Sequence, residues 1–153
     1  MQKSSNISSS WIKDLEMKKS EASWSTWLRE GRQYLKAGKG EKNKFNNSIL
    51  YNLLAMSLEK FVMAILGYNL SMPVNHTFTD LIYSLEKLYP LDTDLRKTIL
   101  RLETKQEICS FEDYVRTDIS DEDIIILREA VKQFEKIANE VCLYEKAPGI
   151  LFG

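Results

Sequence analysis

Hydrophobic residues recur along this chain at steps of three and four, the spacing of one face of an α-helix, and no stretch shows the strict alternation of a half-buried strand. The stretch "WIKDLEMKKSEASWSTWLREGRQYLKAG" carries Trp24, Trp27, Leu28, Tyr34 and Leu35 in that rhythm and reads as one or two helices, ended by Gly38 and Gly40. "GKGEKNK" follows as a loop. "FNNSILYNLLAMSLEKFVMAILGY" predicts a second helix stopped by Gly67. Its apolar positions Ile49, Leu50, Leu53, Leu54, Leu58, Phe61, Val62, Ile65 and Leu66 cover more than one face. Such a helix is expected to lie at the centre of the fold or to bury a second face in an oligomer.

Residues 77 to 89 show the clearest stripe, with Phe78, Leu81, Ile82, Leu85, Leu88 and Tyr89, closed by Pro90. Thr77 and Asp80 have the S/T-x-x-D spacing of a helix start. Residues 92 to about 109 repeat the spacing more weakly through Leu95, Ile99 and Leu102. An acidic connector, about 110 to 120, leads to a last helix. There Ser120 is the expected N-cap, Asp123 completes a box-like arrangement, and Ile124, Leu127, Val131, Phe134, Ala138 and Val141 form the stripe. Four to five amphipathic helices with short connections predict an all-α, antiparallel (up-and-down) helical bundle. Residues 1–20 read as a polar, partly flexible extension, 21–146 as the bundle and 147–153 as a tail.

Composition narrows the class. A chain of 153 residues with 44% hydrophobic and 28% charged residues fits one soluble helical domain. No run approaches the roughly 20 apolar residues of a membrane span, and the polar start "MQKSSNISSS" is no secretory signal, so a cytoplasmic protein is expected. Cys109 and Cys142 lie 33 residues apart without metal or redox spacing and are expected as reduced, partly buried thiols. The net charge of −1 conceals polarity: residues 1 to 44 carry ten Lys/Arg against five Asp/Glu, the remainder 11 against 17. Arg29, Arg32, Lys36, Lys39, Lys42 and Lys44 form the basic concentration, which reads as a solvated loop or as a patch for an anion or nucleic acid.

His76 is the only histidine. A zinc site takes several closely spaced His/Cys ligands and a di-iron bundle takes Glu-x-x-His on two helices; a single histidine supplies neither. "GKGEKNK" lacks phosphate-loop spacing. No metal and no cofactor are therefore expected. Placed one residue before the cap of a helix, His76 faces the positive end of a helix dipole, which disfavours its protonation and argues for a structural, neutral imidazole.

The succession "LLAMSLEKFVMAILGYNLSMPVNHTFTDLIYSL", with Glu59, Lys60, Ala64, Leu66, His76, Asp80 and Leu81, resembles the centre of a HEPN domain. "YVRTDISDEDIIILREAVKQFEKIANEV" resembles that family's connector and last helix, so the likeness covers about residues 22 to 146. The resemblance implies a HEPN-like bundle, homodimerisation, and an association with nucleotides, nucleotidyltransferases or toxin–antitoxin pairs. Many members are metal-independent ribonucleases whose motif sets an arginine before a histidine with a gap of four to six residues between them. Here Arg116 is the counterpart of that arginine, and Asp121, Glu122 and Asp123 stand where the histidine belongs. With one histidine in the chain the motif cannot form, so an enzyme is not expected.

Two pairs stand out as ligand or interface candidates. Glu59 and Lys60 are the charged residues of the otherwise apolar second helix, placed where the resemblance puts a groove or dimer interface. Tyr114 and Arg116 are either an arginine satisfied by Asp113, Asp118 or Asp121 or the remnant of an anion-holding cleft. The leading expectation is a non-catalytic HEPN-like binding module, a homodimer working with a nucleotidyltransferase partner or a nucleotide. The alternative is an RNA-binding protein or divergent ribonuclease toxin using the basic patch, with Trp24 and Trp27 as stacking surfaces.

Overall fold

The computed structural model describes residues 23–38, 45–108 and 119–143, and for 104–108 and 143 the backbone alone. These contain five helices and no strand: α1 over 23–38, α2 Asn47–Tyr68, α3 Phe78–Glu86, α4 Thr93–Ile108 and α5 Asp121–Leu143. The all-helical bundle expected from the periodicity is what forms. The expected extension at 1–20 and tail at 147–153 lie outside the described residues.

The caps follow from side-chain chemistry. Asn46 accepts from the Ile49 amide at 3.0 Å and opens α2. Thr77 accepts from the Asp80 amide at 3.2 Å and opens α3. Ser120 and Asp123 form a reciprocal capping box at the start of α5, each side chain bonded to the other's amide at 3.1 Å. Asp121, Glu122 and Asp123 in that first turn complement the helix dipole.

The breadth of apolar positions on α2 is explained inside the chain. Phe61 to Gly67 are all buried, as are Leu50, Tyr51, Leu54, Ala55, Ser57 and Leu58. α2 is the central helix, and α5 is its most extensive neighbour among α2 to α5. By length and composition α2 could cross a membrane, contrary to the expectation that no run would qualify, but 67% of its most apolar window is buried within the bundle. The core adds Trp24, Leu28 and Leu35 of α1, Phe78, Leu81, Ile82 and Leu85 of α3, Leu95, Ile99 and Leu102 of α4, and the α5 stripe from Ile124 to Cys142.

Direction along the bundle is read from contacts. Asn47 at the start of α2 donates to Ile119 O and Asp121 Oδ1 beside the start of α5, while Cys142 near the end of α5 meets Ala64 O near the end of α2. α2 and α5 therefore run in the same direction. α4 opposes α5, with Arg101 at Asp123 and Leu95 sharing a cleft with Ile137 and Glu140, and α3 opposes α4, with Thr79 at Glu103 and Glu86 at Arg96. α3 consequently runs in the same sense as α2. The expected up-and-down succession fails at this one connection, because the chain must double back before α3 can begin.

The turn that starts this return also corrects the expected stop at Gly67. Gly67 lies within α2, which runs to Tyr68 with Asn69 as its C-cap. Leu70 adopts a left-handed conformation (φ 57), its amide bonds Gly67 O at 3.1 Å, and the Ser71 amide bonds Leu66 O at 2.8 Å. This is a Schellman motif with leucine where glycine is usual, a backbone placement costing about 1–2 kcal/mol. Residues 71–77 then carry the chain back to Glu59, where His76 is held. Leu88, expected in the α3 stripe, lies beyond the helix and is 43% exposed.

Gly31 and Gly67 serve a different purpose, the close approach of α1 to α2. A Cβ on Gly31 would fall 2.8 Å from the Phe61 ring, and one on Gly67 would fall 2.7 Å from the Trp27 ring. Ser57 Oγ donates to Gly31 O at 2.6 Å through the same gap. Alanine at position 31 would gain about 1 kcal/mol in helix propensity. Against this stands overpacking of the fully buried Phe61, typically about 1–3 kcal/mol, so Gly31→Ala is expected to lower stability by up to about 2 kcal/mol, measured as a lower urea midpoint with an unchanged slope.

Candidate functional site

The open side of α2 runs through Ile49, Asn52 and Met56, all exposed, with Leu53 half-buried beside them. Phe45, just before the helix, extends the strip and is 47% exposed. Positions 49, 52, 53, 56, 59 and 60 share one face at helical spacing, so Glu59 and Lys60 form its far end. Both side chains turn to neighbouring elements. Lys60 Nζ lies 3.6 Å from Glu30 Oε2 on α1. His76 Nδ1 donates to Glu59 Oε1 at 3.0 Å, fastening the return loop to α2. The pair expected near a groove thus borders an apolar strip, with α1 on one side and the returning chain on the other.

A histidine held by a carboxylate is the orienting half of a general base. Thr77 next to it is occupied by its own cap, its hydroxyl donating to Asp80 Oδ2 at 3.1 Å. Among the described residues no group of three or more His, Cys, Asp or Glu side chains is placed to hold a metal ion. Glu59 lies seventeen residues from His76 in sequence, and the loop that brings them together has no sequence signature.

The basic concentration is only partly described. Arg29, Arg32 and Lys36 are exposed on α1 at spacings of three and four, and Arg32 donates to Asn139 Oδ1 at 2.6 Å. Lys39, Lys42 and Lys44 lie outside the described residues, as do Tyr114 and Arg116. Trp24 is 5% exposed and meets Tyr68 edge-on at 5.3 Å, so it offers no face to a base; Trp27 packs over Gly67.

Several residues that hold this region together were not singled out by the periodicity. Arg128 donates from Nε and Nη2 to Gly38 O at 3.3 and 3.0 Å, tying the end of α1 to α5. Glu103, 7% exposed, accepts from the amide and hydroxyl of Thr79 in the first turn of α3. Both read in sequence as ordinary charges on amphipathic helices, because what makes them different is the element opposite. A cleft of about 440 Å³ also opens between the α3–α4 connection and α5, its lining including Tyr89, Asp92, Leu95, Lys136, Ile137 and Glu140.

Cys142 is fully buried, and burial pushes its thiol up from the ordinary 9.0 to about 12, with the Arg32 charge acting weakly in the opposite sense. Cys109 lies outside the described residues. The fold holds the Cys142 thiol protonated, so the unfolded chain ionises first as pH rises. The stability linked to this thiol is complete below about pH 9 and is lost progressively towards pH 12.

Comparison with protein-family models, curated proteins and solved structures finds no match.

Two outcomes follow from this geometry. His76→Ala is expected to cost less than about 1 kcal/mol, since its contact with Glu59 is partly exposed, and to leave the helical circular dichroism unchanged. In a Cys109→Ser background, Cys142 should react with Ellman's reagent at pH 8 only at the rate of global unfolding; immediate labelling of the native protein would show that the thiol is reachable.

Proposed function

We propose that this chain is a non-catalytic, HEPN-like binding module that works as a homodimer through the open strip of α2. The observation that carries the reading is the line Ile49, Leu53 and Met56 on the open side of α2, about 10 Å long at 1.5 Å per residue, with Ile49 42% and Met56 40% exposed. It ends at Glu59 and Lys60, the pair that the family resemblance associates with a groove or dimer interface. Two copies meeting strip to strip in opposite directions would set Ile49 of one against Met56 of the other, an isologous contact centred near Asn52 and Leu53. Glu59 and Lys60 supply a polar margin to this contact, with Asn52 the polar residue near its centre.

In this reading the chain recognises a nucleotidyltransferase partner or a nucleotide rather than turning over a substrate. Support for a binding role comes from the chemistry of the charged side chains. His76 uses Nδ1 to fasten the return loop to Glu59, and an acidic cluster stands where the ribonuclease motif would need its histidine. The RNA-binding alternative loses the buried Trp24 as a stacking surface.

Sedimentation velocity tests the assembly directly. The wild-type protein is expected to sediment as a dimer at tens of micromolar, and Met56→Glu or Ile49→Glu to give a folded monomer with at least a tenfold weaker association. A wild-type monomer at 100 µM, or a dimer indifferent to both substitutions, would overturn the proposal. A thermal-shift panel of nucleotides on the same samples tests the ligand separately.

A further inference from the structure

The cleft between the α3–α4 connection and α5 takes no residue from α2 and so stands apart from the open strip. Its volume of about 440 Å³ falls within the span of roughly 300–1,000 Å³ that small-molecule pockets occupy. The apolar side chains of its lining are the recessed ones. Leu95 is 6% exposed, and Leu91 and Ile137 are partly buried against the core. The charged ones, Asp92, Lys136 and Glu140, are exposed. An apolar recess with a few charged groups beside it is the build of a site for a small ligand.

Asp92 is already used at the start of α4, where its Oδ2 accepts from the Leu95 amide at 3.4 Å. Lys136 and Glu140 have no such employment: neither makes a hydrogen bond or ion pair among the described residues. They stand four residues apart on α5, about 6 Å of rise, with Ile137 between them. Lysine ahead of glutamate is the weaker order for a pair at this spacing, and Glu140 sits in the last turn of α5, at the negative end of the helix dipole. Helix stability therefore gives no reason for an acid there. One cation and one anion a helical turn apart, beside an apolar recess, match a ligand with both charges at one end and a hydrocarbon at the other. We propose that this cleft binds a free apolar α-amino acid, its carboxylate on Lys136, its ammonium on Glu140 and its side chain against Leu91, Leu95 and Ile137. A phosphate would meet Asp92 and Glu140 with Lys136 alone to offset them, so the site is separate from nucleotide recognition, and it does not depend on dimerisation.

The test is a titration of the full wild-type chain with L-leucine and with L-phenylalanine, followed by backbone amide shifts in nitrogen-15 NMR. Saturation below about 10 mM is expected for at least one of them, with the shifts centred on residues 91–95 and 133–140. The amide of that amino acid, which lacks the carboxylate, and its N-acetyl derivative, which lacks the ammonium, should each bind at least about threefold more weakly, the scale of an exposed charge contact. Lys136→Gln should weaken the amino acid by a similar factor yet leave its amide unaffected. Glu140→Gln should weaken the amino acid and leave the N-acetyl derivative unaffected. Loss of fold would not produce this paired selectivity. No saturation with either amino acid, shifts centred elsewhere, derivatives that bind as tightly as the parent, or variants that bind like the wild type would each overturn the proposal.

Discussion

From Phe61 to Gly67 seven consecutive residues of α2 are buried, so this part of the helix must meet protein on every side. One amphipathic partner covers a stripe, not a circumference. α1 takes one side by close approach at Gly31 and Gly67, α5 takes another along nearly the whole length of α2, and α3 covers the remainder. The loop behind α2 follows from the same demand. For α3 to lie in the same sense as α2, the chain has to reverse at the end of α2, which it does by a left-handed residue and a Schellman cap rather than by a simple hairpin.

His76 takes its meaning from that reversal. Its sequence position, just ahead of a capped helix, suggests a landmark of the α3 start. In the fold it reaches across to Glu59 and holds the returning chain against α2. Glu59 and Lys60, the two charges of the central helix, thereby lean to opposite sides, one to the loop and one to α1. Between α1 and the loop a narrow strip of α2 is left open. The apolar residues of that strip, not the charged pair, give the binding proposal its physical basis.

Much of the fold was legible along the chain. The α1 stripe, the α3 cap at Thr77, the α5 capping box at Ser120 and Asp123, and the α5 stripe through Phe134 and Ala138 all rest on local chemistry or helical spacing, which act within a few residues. The site was legible only in part. Glu59 and Lys60 stood out as charges on an apolar helix, but Arg128 and Glu103 look like any polar-face residue until the carbonyl of Gly38 and the first turn of α3 are placed opposite them. Gly67 misled for the same reason: a glycine near a helix end reads as a stop, and here it is a seat for an indole.

By itself the sequence determined that the chain is helical, where most helices begin, and that α2 needs cover on more than one face, because hydrophobic period and cap chemistry are properties of neighbouring residues. It also determined that the Arg/His ribonuclease motif cannot form, since one histidine is a fact of composition. Only the tertiary structure decided that α2 and α5 run in the same direction, that the cover for α2 comes largely from its own chain, and that His76 closes on Glu59. Those outcomes depend on contacts between residues 17 to 78 positions apart, which the spacing of apolar residues does not encode.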